Sequence, residues 1–425
     1  VSDVRVVQPV TEPLDAALRI PGSRSVTNRA LVCAALADGR SSLTGALRSD
    51  DTEAMIDCVM TLGAACAVDG ERIDVEGLAG APRPGPSTLH TRLSGTTSRF
   101  VLPMCALGAG DYTIDAAGPM RRRPMADGID ALRSIGADID DTDGHLPLVV
   151  HAAGLTGGRV VVGGDVSSQF LSGLLLSAPA MRDGLEVAIE GELKSKPYVD
   201  MTAAVMSAFG AVVDRDGDRW RVEGGGYVGS SYRIEADAST ACYFLAAAAI
   251  VGGRVHIDGI GTDSIQGDAK FVEVLVDMGC EVVSGPDHVE LLRVGELVGT
   301  DVDLSDMSDQ APTFAAVAAF ATTPSSASGI GFIRRKESDR VGGTVECLRR
   351  LGVDAQEQPD GFAVFPSSAH GARLATHDDH RMAMSFALVG LRVPGVEIED
   401  PSVVDKTFPG FWDALDELTT AGLPS

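Results

Sequence analysis

Apolar and polar positions along the chain fall into two kinds of segment, and each kind recurs six times. The first kind has apolar residues at helical spacing, a polar opposite face and a glycine near its end. It covers 51–68, 125–140, 199–213, 268–283, 341–355 and 408–423. That pattern predicts an amphipathic helix that leads into a strand. The closing glycines, Gly63, Gly136, Gly210, Gly279, Gly352 and Gly422, lie 73, 74, 69, 73 and 70 residues apart. Glycine suits the residue just past a helix end, where φ is positive.

The second kind is apolar nearly all round. Its copies begin at Asn28, Ser98, Gln169, Thr240, Ala311 and Arg381 and are followed by a turn and a strand. Helices without a polar face belong inside a domain. Six units of about 70 residues, each with two helices and several strands, therefore predict an α/β protein. A chain of 425 residues is too long for one ordinary core, so the units divide into two domains of three. Buried helices stand at the centre of each domain, with sheets around them.

Composition narrows the function. Hydrophobic residues at 44% and charged residues at 22% are those of a globular protein. No apolar run approaches the roughly 18 residues that span a bilayer. The first residues lack the basic-then-apolar layout of a secretory signal, which predicts a cytoplasmic protein. Seven cysteines without a CxxC pair read as reduced thiols, with Cys33, Cys105 and Cys242 inside apolar runs as core residues. A net charge of −25 excludes nucleic acid and anionic membrane as natural partners. An anionic small molecule would need the few positive charges gathered in one place. Lysine occurs only at Lys194, Lys196, Lys270, Lys336 and Lys406.

The residues just ahead of each buried helix carry the candidate chemistry. They are PGSRSVTNR at 21–29, SGTTSR at 94–99, DVSSQ at 165–169, DAST at 237–240, SDQAPT at 308–313 and HDDHR at 377–381. All are rich in helix-capping residues. A helix N-terminus also offers free N–H groups and positive partial charge to an anion. Arg29, Arg99 and Arg381 stand just inside three of them. If equivalent ends of both domains face one cleft, that cleft is electropositive and takes phosphates and carboxylates. MRRRP at 120–124 places three arginines in a turn. RRKESDR at 334–340 spaces Lys336, Glu337 and Arg340 so that one helix face would carry all three. His377 and His380 read as hydrogen-bonding groups rather than a zinc site, and no metal-ligand cluster is apparent.

PGSRSVTNRAL, SGTTSRF, DVSSQFLSGLLLSAP, SKPYVDMT, QGD, RKESDR, DDHRMAM and DKTFP occur in this order from about residue 8 to about residue 420. In this the chain resembles the 5-enolpyruvylshikimate-3-phosphate synthase family over nearly its whole length. The resemblance implies a two-domain inside-out α/β barrel of six βαβαββ repeats. One domain would be 21–235. The other would be 1–20 plus 236–425, and the domains would close on substrate. It implies transfer of the enolpyruvyl group of phosphoenolpyruvate to the 5-hydroxyl of shikimate-3-phosphate by a monomer with no cofactor and no metal. Shikimate-3-phosphate would be bound by Ser25, Arg29, Ser167, Ser168, Gln169, Ser195, Tyr198, Asp309 and Lys336. Phosphoenolpyruvate would be bound by Arg24, Gly95, Thr96, Arg123, Gln169, Arg340, His380, Arg381 and Lys406. Asp309 would serve the hydroxyl and Glu337 would serve C3, with Arg24 and Lys406 as catalytic cations. Such duty suits carboxylates whose pKa is raised by burial or like charge.

Three positions depart from the family's pattern. The usual PGSK lysine is Arg24, which keeps the charge but gives up no proton in the working range. Leu93 and Phe332 stand where asparagine is common. They leave open an enolpyruvyl transferase for a different phosphorylated cyclic acceptor. A UDP-N-acetylglucosamine enolpyruvyl transferase is disfavoured, since 116–122 lacks that family's reactive cysteine. The charge of −25 also disfavours an RNA-end-processing protein with a related repeat.

Overall fold

A computed structural model describes residues 3–164 and 167–420. Asp165 and Val166 of the DVSSQ segment, and the end of the last predicted helix with Gly422, lie outside them. The chain forms two compact units. One is Pro21–Glu235; the other joins the residues up to Ile20 to those from Ala236 onward.

The repeats appear as a recurring sheet. In Pro21–Glu235, strand Ser87–His90 runs parallel to Ala109–Asp115. The latter pairs antiparallel with His145–Ala153, and that strand pairs antiparallel with Asp138–Thr142. The same order of one parallel and two antiparallel pairings recurs in Gly158–Gly163, Leu185–Glu190, Arg219–Val222 and Val213–Asp216. It recurs again in Asp301–Asp303, Ser325–Ser328, Gly361–Val364 and Ala355–Gln358. Two sheets take their parallel edge from chain-distant strands. Ser231–Arg233 pairs with Arg40–Thr44, and Leu14–Arg19 pairs with Gly253–Asp258. The second pairing carries the start of the chain into the unit built by its later half.

Inside the units lie the apolar helices. Every residue of Gly95–Ala106, Ala311–Ala318 and His380–Gly390 is buried. Large side chains such as Phe100, Phe244, Phe314 and Phe386 fill the cores, each contributing roughly 1.5–3 kcal/mol by leaving water. The amphipathic helices Asp50–Thr61, Ala126–Ser134, Lys196–Ala208, Phe271–Asp277, Arg340–Arg350 and Phe411–Thr420 match the predicted set. Gly63, Gly136, Gly210, Gly279 and Gly352 all have positive φ, from 80° to 112°. Among the described residues no helix is long and apolar enough to cross a membrane. All seven cysteines are free, and burial pushes the Cys33 thiol up to about 12.

Five of the six buried helices have the predicted side-chain cap: Ser23, Ser94, Ser167, Asp237 and Asp379 each accept from a backbone N–H two or three residues ahead. The helix Ala311–Ala318 does not. A 3-10 turn, Ser308–Gln310, feeds into it and Pro312 stands in its first turn, so fewer N–H groups need a partner. The Asp309 carboxylate is thereby left for other contacts.

Candidate active site

In the unit that holds the chain's later half, three buried helices bring their N-terminal ends together. Ser239 opens Ala238–Val251, Asp309 lies in the turn ahead of Ala311–Ala318, and Arg381 opens His380–Gly390. Arg381 reaches Asp309 Oδ2 at 2.7 Å, Tyr243 Oη at 3.3 Å and Ser239 Oγ at 3.5 Å. Lys336 donates to Asp309 Oδ1 at 2.6 Å and to Ser308 Oγ at 3.1 Å. Arg340 ties the cluster together. It donates to Asp309 at 2.8 Å, to Glu337 at 2.9 Å, and to both oxygens of Asp379 at 2.7 and 3.2 Å. Lys406, at the end of the 3-10 helix Pro401–Lys406, donates to Glu337 Oε1 at 3.0 Å.

The expected single helix face for Lys336, Glu337 and Arg340 is not what forms. Lys336 and Glu337 lie in the turn between the 3-10 helix Gly331–Arg335 and the helix Arg340–Arg350, which Asp339 caps. The turn still lets Arg340 meet Glu337, and Asp309 bridges Arg340 to Lys336. Phe332, one of the departures, places its ring 5.6 Å from Lys336 Nζ, an attractive arrangement for a cation over a ring face. His380 is buried with Nδ1 at 3.7 Å from Asp379.

Electrostatics corrects the sequence reading twice. Each of these four cations is paired with a carboxylate, so the cluster is close to neutral rather than a pool of free positive charge. Second, Asp309 is not raised. Burial pushes it up, but Arg381, Lys336 and Arg340 outweigh burial and hold it well below the usual carboxylate range. The raised carboxylate is Asp268, pushed up by burial and by the charge of Asp309. It accepts from Ser239 Oγ, and from Gln310 Nε2 at 2.9 Å. Burial lowers Lys336 against the pull of Asp309, and burial raises the Tyr243 phenol to about 12. Among the described residues no group of three or more His, Cys, Asp and Glu is arranged to hold a metal ion.

The unit Pro21–Glu235 holds the second cluster. Arg24, first residue of the helix Arg24–Leu36, pairs with Asp51 at 2.8 Å. Arg99 donates to Gln169 Oε1 at 2.5 Å, and Gln169 Nε2 donates to Thr96 Oγ1 at 3.1 Å. That chain joins the starts of the helices Gly95–Ala106 and Ser168–Ser177. Ser167 caps the latter, and Ser168 is buried in its first turn. Ser195, just before Lys196–Ala208, has φ 55°, a left-handed conformation that costs a non-glycine residue about 1–3 kcal/mol and marks a constrained position. Tyr198 and Ser25 are half-buried nearby in sequence to Ser195 and Arg24.

Arg29 is turned inward. It is 2% exposed and donates to Thr202 Oγ1 at 2.7 Å, Ser25 O at 2.9 Å, Tyr198 O at 3.1 Å and Ser172 Oγ at 3.4 Å. Burial lowers its pKa to about 10. In this conformation it holds the helices Arg24–Leu36, Ser168–Ser177 and Lys196–Ala208 together. Of the three adjacent arginines, Arg121 pairs with Asp115 at the surface, Arg122 is exposed, and only Arg123 turns toward Gly95.

A Cβ on Gly95 would stand 2.7 Å from Arg123 Nη1. Glycine is needed there because the guanidinium packs on the backbone at the helix start. Gly95→Ala is expected to push Arg123 aside and to raise the KM for an anionic substrate at this helix by about tenfold, the worth of one charge-assisted hydrogen bond. Steady-state kinetics checks it; an unchanged KM removes Arg123 from the site.

Asp379, Asp268, Ser239 and Asp51 were not singled out as site residues from sequence. The signal for Asp379 was present, since HDDHR precedes a buried helix, but nothing there separates a cap from the partner of a buried arginine.

The family model for EPSP synthase (3-phosphoshikimate 1-carboxyvinyltransferase) matches residues 9–415. A 3-phosphoshikimate 1-carboxyvinyltransferase of Methanoculleus marisnigri is 41% identical over 417 residues, 97% of this chain and 98% of its own. One from Trichormus variabilis is 39% identical over 416 residues, 96% of this chain and 98% of its own. The solved EPSP synthase of Acinetobacter baumannii shares the fold, with a TM-score of 0.81, 24% identity and 97% of each chain covered. With matches of this length and identity, the chain belongs to the EPSP synthase family.

Proposed function

We propose that the chain transfers the enolpyruvyl group of phosphoenolpyruvate to the 5-hydroxyl of shikimate-3-phosphate and releases inorganic phosphate, the step of the shikimate pathway that leads toward chorismate. The observation that carries this reading is the convergence of Arg381, Arg340, Lys336 and Lys406 on Asp309 and Glu337. Cations that can trade a carboxylate for a substrate anion stand beside two separate proton acceptors. Addition–elimination needs both: a base for the hydroxyl and an acid–base group at C3.

In the addition, the 5-hydroxyl oxygen bonds to C2, its proton passes to Asp309, and C3 gains a proton from the Glu337 side. In the elimination, C3 loses a proton to Glu337, the C2–C3 double bond re-forms and phosphate leaves. Arg340, Arg381 and Lys406 hold phosphoenolpyruvate and stabilise the departing phosphate. Arg24, Arg123, Thr96 and the Gly95 backbone also bind phosphoenolpyruvate, as a fixed charge and donors. Ser167, Ser168, Ser195, Gln169 and Tyr198 bind the shikimate phosphate, with Ser25, Arg29 and Lys336 on its ring substituents. One chain carries both clusters, so a monomer suffices. The seven free thiols fit a reducing cytoplasm.

The C3 role is the part most open to direct test. Glu337 is held by Arg340 and Lys406, which keep its carboxylate in place without removing it as an acceptor. In D2O, Glu337→Gln is expected to slow exchange of the C3 hydrogens of phosphoenolpyruvate by about 10²-fold or more. Exchange at the wild-type rate would move that role to Lys406.

A further inference from the structure

Beside Arg24 lie two buried polar groups that the mechanism does not use. Asn28 is fully buried, and neither atom of its amide has a hydrogen-bond partner among the described residues. Asp51 is buried as well; Oδ2 receives the Arg24 guanidinium at 2.8 Å, while Oδ1 has no partner among the described residues. Arg24 and Asn28 are one turn apart on the helix Arg24–Leu36 and share a face. Asp51 stands in the first turn of Asp50–Thr61, which packs against that helix. An unused donor and an unused acceptor therefore flank one ion pair.

We propose that Asn28 is a positioning residue for Arg24, taking over the Asp51 carboxylate when Arg24 turns its guanidinium to the phosphate of phosphoenolpyruvate. The proposal rests on the reading that Arg24 binds that phosphate. A carboxylate as buried as Asp51 is strongly destabilising once its cation leaves. The start of Asp50–Thr61 supplies some positive potential, but a direct donor is needed to offset the loss. Asn28 Nδ2–H donating to Asp51 Oδ1 satisfies two of the three unused atoms in one bond. The free enzyme holds Arg24 away from the site at the expense of an idle amide, and the liganded enzyme recovers that bond. Asn28 thus sets how readily Arg24 is released.

Phosphate release at saturating shikimate-3-phosphate, with phosphoenolpyruvate varied, tests this together with thermal unfolding of the free enzyme. Asn28→Leu keeps the volume and removes the donor; Asn28→Ala is the second variant, should the first pack badly. Either is expected to raise the KM for phosphoenolpyruvate about tenfold or more, as for a lost bond to a charged group, with a smaller change in kcat. The free enzyme should melt at or above the wild-type temperature, because the amide it loses was unbonded. A merely structural Asn28 gives the reverse: a lower Tm and an unchanged KM. In an Asp51→Asn background no charge is left behind, so Asn28→Leu should add nothing further. If Arg24→Gln leaves kinetics unchanged, the phosphate role of Arg24 falls and the proposal with it. If Arg24→Gln weakens phosphoenolpyruvate but both Asn28 variants bind it normally, the proposal alone is overturned.

Discussion

Asp309→Asn is expected to lower kcat by about 10²–10⁴-fold, the usual worth of a positioned proton acceptor. The free protein surrounds this carboxylate with Lys336 at 2.6 Å, Arg381 at 2.7 Å and Arg340 at 2.8 Å. They hold it ionised, and in that state it is a weak base. A phosphate or carboxylate that draws Arg381 and Arg340 toward itself weakens their hold on Asp309 and raises its proton affinity. In the proposed mechanism, arrival of the second substrate thus makes Asp309 ready to accept a proton. Asparagine cannot accept the proton, but it also competes less for the arginines. The KM for phosphoenolpyruvate should therefore stay level or fall while kcat collapses, which steady-state kinetics separates. A variant that loses affinity and keeps its turnover would make Asp309 a binding group and place the base elsewhere.

Arg340→Met has the largest expected effect on stability. The Arg340 side chain is 1% exposed and serves three carboxylates, Asp309, Glu337 and Asp379. Asp379 is wholly buried and keeps only Ser338 Oγ and the Arg381 backbone N–H among its described donors. Removing one partner from buried ion pairs costs about 3–5 kcal/mol, because the remaining charge stays out of water. In a unit of this size that lowers Tm by roughly 6–20 °C. The pH dependence has a definite sign. The folded pKa of Asp309 is depressed, so its contribution is fully present above about 3.9, the ordinary aspartate value, and is lost as pH falls through the depressed value. In the variant Asp309 loses one of the cations that depress it and protonates more easily. The gap between wild type and variant should be widest near neutral pH and narrow below about pH 4. Calorimetry across that range checks it; a small gap that ignores pH would mean that the network contributes little to folding.

Much of the fold could be read from period and polarity. A helix apolar on every side, such as Ala238–Val251, has only the interior to go to, and a glycine past each amphipathic helix marks where it ends. The pairing of Leu14–Arg19 with Gly253–Asp258 has no local signal, since parallel partners can lie anywhere in the chain. Site residues were legible where a motif names them: Asp309, Lys336, Arg340 and Arg381 do meet. What composition could not show was how they spend their charge. Counting cations predicts an open positive site, whereas Asp379 and Glu337 balance Arg340, and three cations depress Asp309 instead of leaving it raised. Arg29 reads as a ligand because it follows a cap by one turn. Its partners could not be read there: Thr202, Ser172 and two carbonyls take up its donors in the free protein. Asn28 and Asp51 gave no sign at all, because an orphaned buried atom exists only once neighbours are in place.

Phosphorus NMR of the enzyme mixed with phosphoenolpyruvate and shikimate-3-phosphate tests the central claim most directly. Parallel samples would lack the acceptor or carry unphosphorylated shikimate or another phosphorylated cyclic alcohol. Inorganic phosphate and one new phosphomonoester are expected in equal amounts, formed from the complete pair and scarcely from the others. Phosphate released at the same rate without shikimate-3-phosphate, or faster with a different acceptor, would contradict it.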